Sequence, residues 1–306
     1  MLPPALASLV DPFLFMGLAL SFLPSTVLSA LLARDFATLL SPSRLRSAWF
    51  GRFWAHVGPT VRQNAEKNVV PLLQGRVAGG AIIPPPPTTP APSSDSDAAA
   101  GAPPHPAVSG TVLEVGPGSG MWVSLYTPQN LPASTSGGDG GGGGGGIRKI
   151  YGVEPNPTVH SLLRRQVAAA GLDDGTYEIV PLGIEDLAAS GRVPLGRVDC
   201  IVTIMCLCSI PDPRRNMAQL YRFLKPGGRW YVYEHVRCFH WQGWSMRLYQ
   251  AFLGIFWPHL IGGCEMCRDT GKWLTEVAPW SQVDLCQLQG EPWYFTMPHV
   301  IGVLTK

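Results

Sequence analysis

The stretch that decides the reading is "TVLEVGPGSGMWVSLY", Thr111 to Tyr126. An apolar run ends in Gly116, Gly118 and Gly120, each separated by one residue, and a second apolar run follows. A strand that turns through glycines toward a helix presents backbone N–H groups to a ligand. The missing Cβ atoms let that ligand approach the backbone closely.

The spacing narrows the ligand. A dinucleotide fingerprint reads G-x-G-x-x-G, which would put its third glycine at Met121. The chain instead has G-x-G-x-G, with Glu114 two residues ahead. This argues against a pyrophosphate and for S-adenosylmethionine, whose methionine ammonium a network of Glu114 and loop carbonyls can hold. The other reading of Glu114 is a carboxylate that caps the loop. An acid at the end of the next strand is then expected to bond the ribose hydroxyls. "IYGVEPNP" supplies Glu154. The tract "ASTSGGDGGGGGGG", Ala133 to Gly146, reads as a flexible insertion that lengthens the gap between the two motifs.

Outward from this motif the pattern alternates. Strands are predicted at Thr111–Val115, Ile147–Val153, Tyr177–Val180, Val198–Ile204 and Arg229–Val236. Helical patterns cover Pro157–Ala170 and Asp212–Leu224, and "LKPGG" reads as a helix stop and turn. Gln282–Cys286 and Trp293–Leu304 are expected to pair as an antiparallel hairpin at a sheet edge. This is an α/β, doubly wound, mostly parallel sheet over 110–306. Upstream, 35–78 reads as a helical extension, with Trp49, Phe50, Phe53, Trp54 and Val57 on one face of a helix from Ser47 to Leu73. Residues 79–109, "GGAIIPPPPTTPAPSSDSDAAAGAPPHPAVS", read as a disordered proline-rich linker.

The first 34 residues contain an uncharged run, Pro12 to Ala33, long enough for a membrane span. Pro24 is expected to kink or break it. The arginines that follow, from Arg34 onward, place the bulk of the chain on the cytoplasmic side. The rival reading is an apolar helix packed on the protein's own surface. The net charge of +2 offers no basic stripe for nucleic acid. Seven cysteines, an odd number partly inside predicted strands, argue against a disulfide framework. Cys264-x-x-Cys267 has no partner motif to complete four ligands, so no metal is expected. Cys206 and Cys208 read as one face of a strand, packed in the core.

"VLEVGPGSG", "GVEPNP", "GIEDL", "VDCIVTIMCLCSI", "LKPGGRWYVYEHV" and "PHVIGVLTK" occur in that order. Together they resemble a class I S-adenosylmethionine-dependent methyltransferase. With "LIGGCEMCRDTGKWL", Leu260 to Leu274, the chain is similar to the membrane-anchored alkyl-thiol methyltransferases and their fungal relatives. The resemblance runs from about Ala48 to Lys306 and implies a seven-stranded sheet with an antiparallel last strand. It implies that Glu114, Gly116, Pro117, Gly118, Ser119 and Gly120 serve the methionine and ribose side of S-adenosylmethionine. Glu154, Pro155 and Asn156 would serve the ribose and adenine edge. Gly183, Ile184 and Glu185 would lie beside the adenine, and Ile204 beside the cofactor. The resemblance also implies attachment to the endoplasmic reticulum or lipid droplets.

Methyl transfer from a sulfonium is an in-line displacement governed by alignment. A thiol acceptor, with a pKa of about 8.5, needs only mild help to ionise. Glu234 and His235, at the end of the fifth predicted strand, are the expected catalytic residues, with His235 read as a general base; the other reading of His235 is a side chain that orients a loop or caps a helix. Trp241, Trp244, Trp257, Phe252, Phe256 and Trp293 are expected to line a pocket for a small apolar or aromatic acceptor. The alternatives are an N- or O-methyltransferase of secondary metabolism, or a non-catalytic membrane tether that keeps the fold.

Overall fold

The computed structural model describes residues 3–85, 102–131 and 145–306. The chain opens with helices α1 (Pro4–Leu32), α2 (Phe36–Leu39) and α3 (Pro42–Leu73). A small hairpin follows, β1 (Val77–Ala78) and β2 (Ala81–Ile82). Then come β3 (Gly110–Val115), β4 (Ile147–Val153), α4 (His160–Ala169), β5 (Tyr177–Val180), α5 (Ile184–Ser190) and β6 (Val198–Ile204). The chain continues through α6 (Pro213–Phe223), β7 (Leu224–His235), α7 (Trp244–Leu260), α8 (Thr270–Glu276), β8 (Gln282–Gln287) and β9 (His299–Thr305).

β3 to β9 form one seven-stranded sheet in the order β5-β4-β3-β6-β7-β9-β8. β9 runs antiparallel to both of its neighbours, and the other pairs among β3 to β7 are parallel. The chain moves outward from β3 to β4 on one side and resumes at β6 on the other. β3 and β6 therefore flank the switch point, where the crevice beyond the carboxyl ends receives ligands.

Strands covered on both faces read as continuous apolar runs, and alternation decides which residue meets which layer. Val112, Val202, Tyr231 and Tyr233 face the layer that contains the second half of α3. Leu113, Val115, Ile201, Trp230 and Val232 face the opposite layer, with Met217 and Leu220 of α6 and Leu274 of α8. A third cluster joins Met16 and Ala19 of α1, Trp49, Phe53 and Val57 of α3, and Leu253 and Trp257 of α7.

Three expectations change. α1 is one continuous helix with Pro12 and Pro24 inside it. The Ser21 hydroxyl bonds the Leu18 carbonyl, and the Ser25 and Thr26 hydroxyls bond that of Phe22, adding side-chain bonds to the turns on both sides of Pro24. Packing holds the rest: the Trp49 indole N–H donates to the Ala19 carbonyl at 2.7 Å, and Tyr249 reaches the Leu9 carbonyl. The expected linker is ordered at both ends. Residues 79–82 turn back as part of the β1–β2 hairpin, and His105 sits 2.7 Å from Asp284 while its N–H bonds the Gly75 carbonyl. The middle of that tract, 86–101, and most of the glycine-rich insertion, 132–144, lie outside the described residues. Finally, "LKPGG" already belongs to β7, whose pairing with β6 starts at Leu224 and is irregular before Arg229.

Phe53 is fully buried, with the Phe15 ring edge-on at 5.1 Å and Phe22 at 6.0 Å. Phe53→Ala is expected to lower stability by about 3–5 kcal/mol, the usual cost of a buried aromatic truncation. Urea unfolding checks this, and a loss under about 1 kcal/mol would show that the α1–α3–α7 layer is loosely attached.

Candidate active site

The loop after β3 turns at Gly116, Gly118 and Gly120, with φ of 66°, 58° and 89°. The outer two glycines make room for protein. A Cβ on Gly116 would stand 2.9 Å from Cys206 Cβ, and one on Gly120 2.8 Å from Gln166 Cβ. At Gly118 a Cβ would meet nothing within 4 Å, so this residue turns bare backbone to open space. Its N–H donates to Glu154 Oε2 at 2.9 Å, and the Asn156 N–H donates to Glu154 Oε1 at 2.8 Å. One carboxylate therefore ties the β3 loop to the β4 loop. An ionised carboxylate has about four acceptor positions, so lone pairs remain for hydroxyl donors. A bare amide-lined turn beside a carboxylate fits the ribose and methionine portions of S-adenosylmethionine.

Glu114 lies on the other side of that loop and is buried. The Tyr177 hydroxyl donates to Glu114 Oε2 at 2.5 Å, crossing over β4 to do so. That path exists because residue 152 is glycine: a Cβ there would stand 2.2 Å from the Tyr177 oxygen. The buried Tyr126 hydroxyl sits close to the same carboxyl without a well-formed bond. Burial pushes the Glu114 carboxyl up to about 7, the Tyr177 and Tyr126 hydroxyls oppose the rise, and nearby Glu154 adds to it. Burial also raises Glu154, against the pull of the Asn156 and Gly118 amides. In the ligand-free chain Glu114 accepts from Tyr177 and so links the end of β3 to β5.

The other expected cofactor residues gather at the same edge. Pro117 is buried and Ser119 half-buried in the glycine loop, and Ile204 ends β6. Asn156 spends its side chain on the turn that follows, accepting from the Thr158 N–H and hydroxyl, and its own N–H on Glu154 Oε1. Pro155 is exposed. Gly183 precedes α5, Ile184 sends its side chain into the core, and the exposed Glu185 carboxylate folds back over Gly183.

Glu234 and His235, the last residues of β7, point to opposite faces of the sheet, as adjacent strand residues do. Glu234 is fully buried, and its carboxylate accepts from the Cys206 and Leu207 amides at 3.1–3.2 Å. Burial raises it to about 8. It positions the loop after β6, where Met205 takes a left-handed φ of 52°. His235 faces the other way, with Nε2 3.2 Å from Cys264 Sγ and a buried Nδ1 that has no partner among the described residues. Cys206 and Cys208 lie beyond the strand, and only Cys208 turns toward His235. The Cys208, His235 and Cys264 donor atoms all lie within 4.8 Å of one another. Cys267 is exposed and apart from them. Cys208 is held well below the usual thiol range, chiefly by a hydrogen bond from Cys264; burial opposes this and His235 assists. Burial would lower His235, but the Cys208 charge outweighs it and the net shift is upward. No sequence spacing signals this trio, because its members come from three separate elements.

The expected aromatic pocket is not assembled. Trp257 is buried and donates its indole N–H to Cys264 Sγ at 3.2 Å. Trp241, Trp244, Phe252, Phe256 and Trp293 are exposed.

The methyltransferase domain family model matches residues 96–280. The thiol S-methyltransferase TMT1B of Rattus norvegicus is 30% identical over 202 residues, covering 64% of this chain and 70% of its own. The thiol S-methyltransferase TMT1A of Homo sapiens is 29% identical over 199 residues, with the same coverage of both chains.

A pH dependence follows from Glu114. The folded chain holds its proton up to about pH 7, whereas the unfolded carboxyl releases it near 4.5. Its contribution to stability is therefore full below about 4.5 and is lost as pH rises through about 7. Glu114→Gln, which can still accept from Tyr177, should reduce the fall in urea midpoint of the ligand-free protein across that window. An unchanged slope would mean that Glu114 is ionised throughout.

Proposed function

The chain belongs to the methyltransferase domain family and transfers methyl groups from S-adenosylmethionine; from this we propose that its acceptor is a small apolar thiol. The observation that carries the reading is the His235 environment. The imidazole stands at the carboxyl end of β7 among thiols and apolar side chains, with Nδ1 unclaimed among the described residues. The one carboxylate beside it in sequence is committed to the Cys206 and Leu207 amides. A thiol requires only a mild base of this kind, whereas a phenol or ammonium, with pKa values of about 10, requires more. Two relatives named as thiol S-methyltransferases support the choice.

In this reading S-adenosylmethionine supplies an electrophilic methyl group. The Gly116–Gly120 loop and Glu154 hold its methionine and ribose portions. The Gly183–Glu185 backbone borders its adenine, and Glu234 sets the loop that separates donor from acceptor. His235 takes the acceptor's proton. A labelled-methyl assay over alkyl thiols, amines and phenols tests this. Thiol methylation that exceeds the others at least tenfold is expected; preferential methylation of phenols or amines would overturn the acceptor class.

The protein is further read as membrane-associated. α1 is long and apolar enough to cross a membrane, and only 17% of its most apolar window is buried. It packs against α3 and α7 through its buried residues, which favours a helix lying in the interface over one that leaves the protein to span. Leu14 of α1 and Leu248, Phe252 and Ile255 of α7 are exposed apolar residues suited to the acyl region. Full-length protein should sediment with membranes. The variant Leu14→Glu, Leu248→Glu, Ile255→Glu should become soluble while still binding S-adenosylmethionine. Sedimentation unchanged by these charges would contradict an interfacial helix.

A further inference from the structure

The Cys208, His235 and Cys264 side chains converge from the β6–α6 loop, the end of β7 and the loop after α7, all buried. We infer that this trio is a binding site for a zinc-class divalent cation, held by two thiolates and the His235 imidazole, with its fourth position open to a sulfur ligand.

Two thiolates and a neutral imidazole offset the charge of such a cation, which makes burial among apolar side chains tolerable. The donor types are those that a borderline-soft metal prefers, and three protein ligands are the number that leaves an open position. No other His, Cys, Asp or Glu among the described residues joins the group.

The support around the donors is built. The Trp257 indole N–H donates to Cys264 Sγ at 3.2 Å, the kind of outer contact that orients a thiolate ligand. The loop carrying Cys264 is latched to the loop carrying Cys208. The Glu265 N–H donates to the Cys208 carbonyl at 3.0 Å. Arg268 Nη1 donates to the Leu207 and Ile210 carbonyls at 2.7 and 2.8 Å. Arg268 is itself buried, so this clamp holds the two cysteines together independently of any ion.

The site stands at the carboxyl edge between β6 and β7, where the acceptor is expected. The open position suits the acceptor itself, a point that rests on the thiol reading above. A thiol that coordinates gives up its proton to water and becomes a nucleophile. Methylation moves the carbon from the sulfonium sulfur to that sulfur, and the resulting neutral thioether is a weak ligand that can leave. With the cation bound, His235 ligates it through Nε2 and the cation ionises the thiol; the base role given to His235 above belongs to the metal-free protein.

The test uses full-length protein in detergent, purified under reducing conditions and loaded with Co²⁺. Thiolate-to-cobalt charge-transfer absorption and tetrahedral d–d bands are expected. Both should be lost in Cys208→Ser and Cys264→Ser and kept in Cys267→Ser. Calorimetric binding of S-adenosylmethionine serves as the check that each variant is folded. Ethanethiol should shift the d–d bands. Wild-type protein that binds S-adenosylmethionine but shows no thiolate–cobalt absorption would overturn the site, as would a Cys208–Cys264 disulfide formed in its place. A cobalt spectrum unmoved by ethanethiol, in an enzyme that methylates ethanethiol, would overturn the open position. A protein that loads cobalt but methylates only amines or phenols would overturn the acceptor reading and leave the cation site standing.

Discussion

The hydrogen bond from the Gly118 amide to the Glu154 carboxylate is the contact on which the site depends. It fixes a loop from one strand to the end of the next, so the bare turn and the acid form one surface. Several choices elsewhere serve that junction. Cys206 packs close against Gly116, Gln166 closes on Gly120, and Glu114 braces the base of the loop through Tyr177. Gly152 matters for the same reason, since any side chain there would push Tyr177 off Glu114.

Strand alternation divides the labour at the other half of the crevice. Glu234 and His235 are neighbours in sequence and serve opposite faces. One carboxylate shapes the β6 loop beneath the sheet edge. One imidazole meets two cysteines above it, under a roof made by α1, α3 and α7. The same roof carries exposed apolar side chains on its outer surface, so the acceptor side of the sheet and the surface read as membrane-facing belong to one layer.

Much of this was legible in the chain because local rules govern it. β4, β5 and β6 begin and end where their apolar runs do, and the glycine loop and Glu154 occupy the places their spacing gives them. What could not be read depends on contacts between distant segments. α1 passes through Pro24 because α3 and α7 hold it, which no helix propensity reports. His105, beyond the proline-rich tract, is held by Gly75 and Asp284, and Gly79 before the tract also donates to Asp284, about 200 residues away in sequence. Cys264 and Cys267 are close along the chain, yet the partners of Cys264 are Cys208 and His235, from distant segments. The number of aromatic residues suggests a pocket, but most of them coat the outside of α7 and the segments beside it.

The most direct measurement is the calorimetric affinity of S-adenosylmethionine for wild-type protein, Glu154→Ala and Gly118→Val. Glu154→Ala removes the bridging carboxylate and is expected to weaken binding by about 1.5–3 kcal/mol, the range for charge-assisted hydrogen bonds. Gly118→Val places a branched side chain where bare backbone faces open space and should abolish measurable binding, with the fold retained by circular dichroism. Wild-type affinity in both variants would place the cofactor elsewhere and contradict the account.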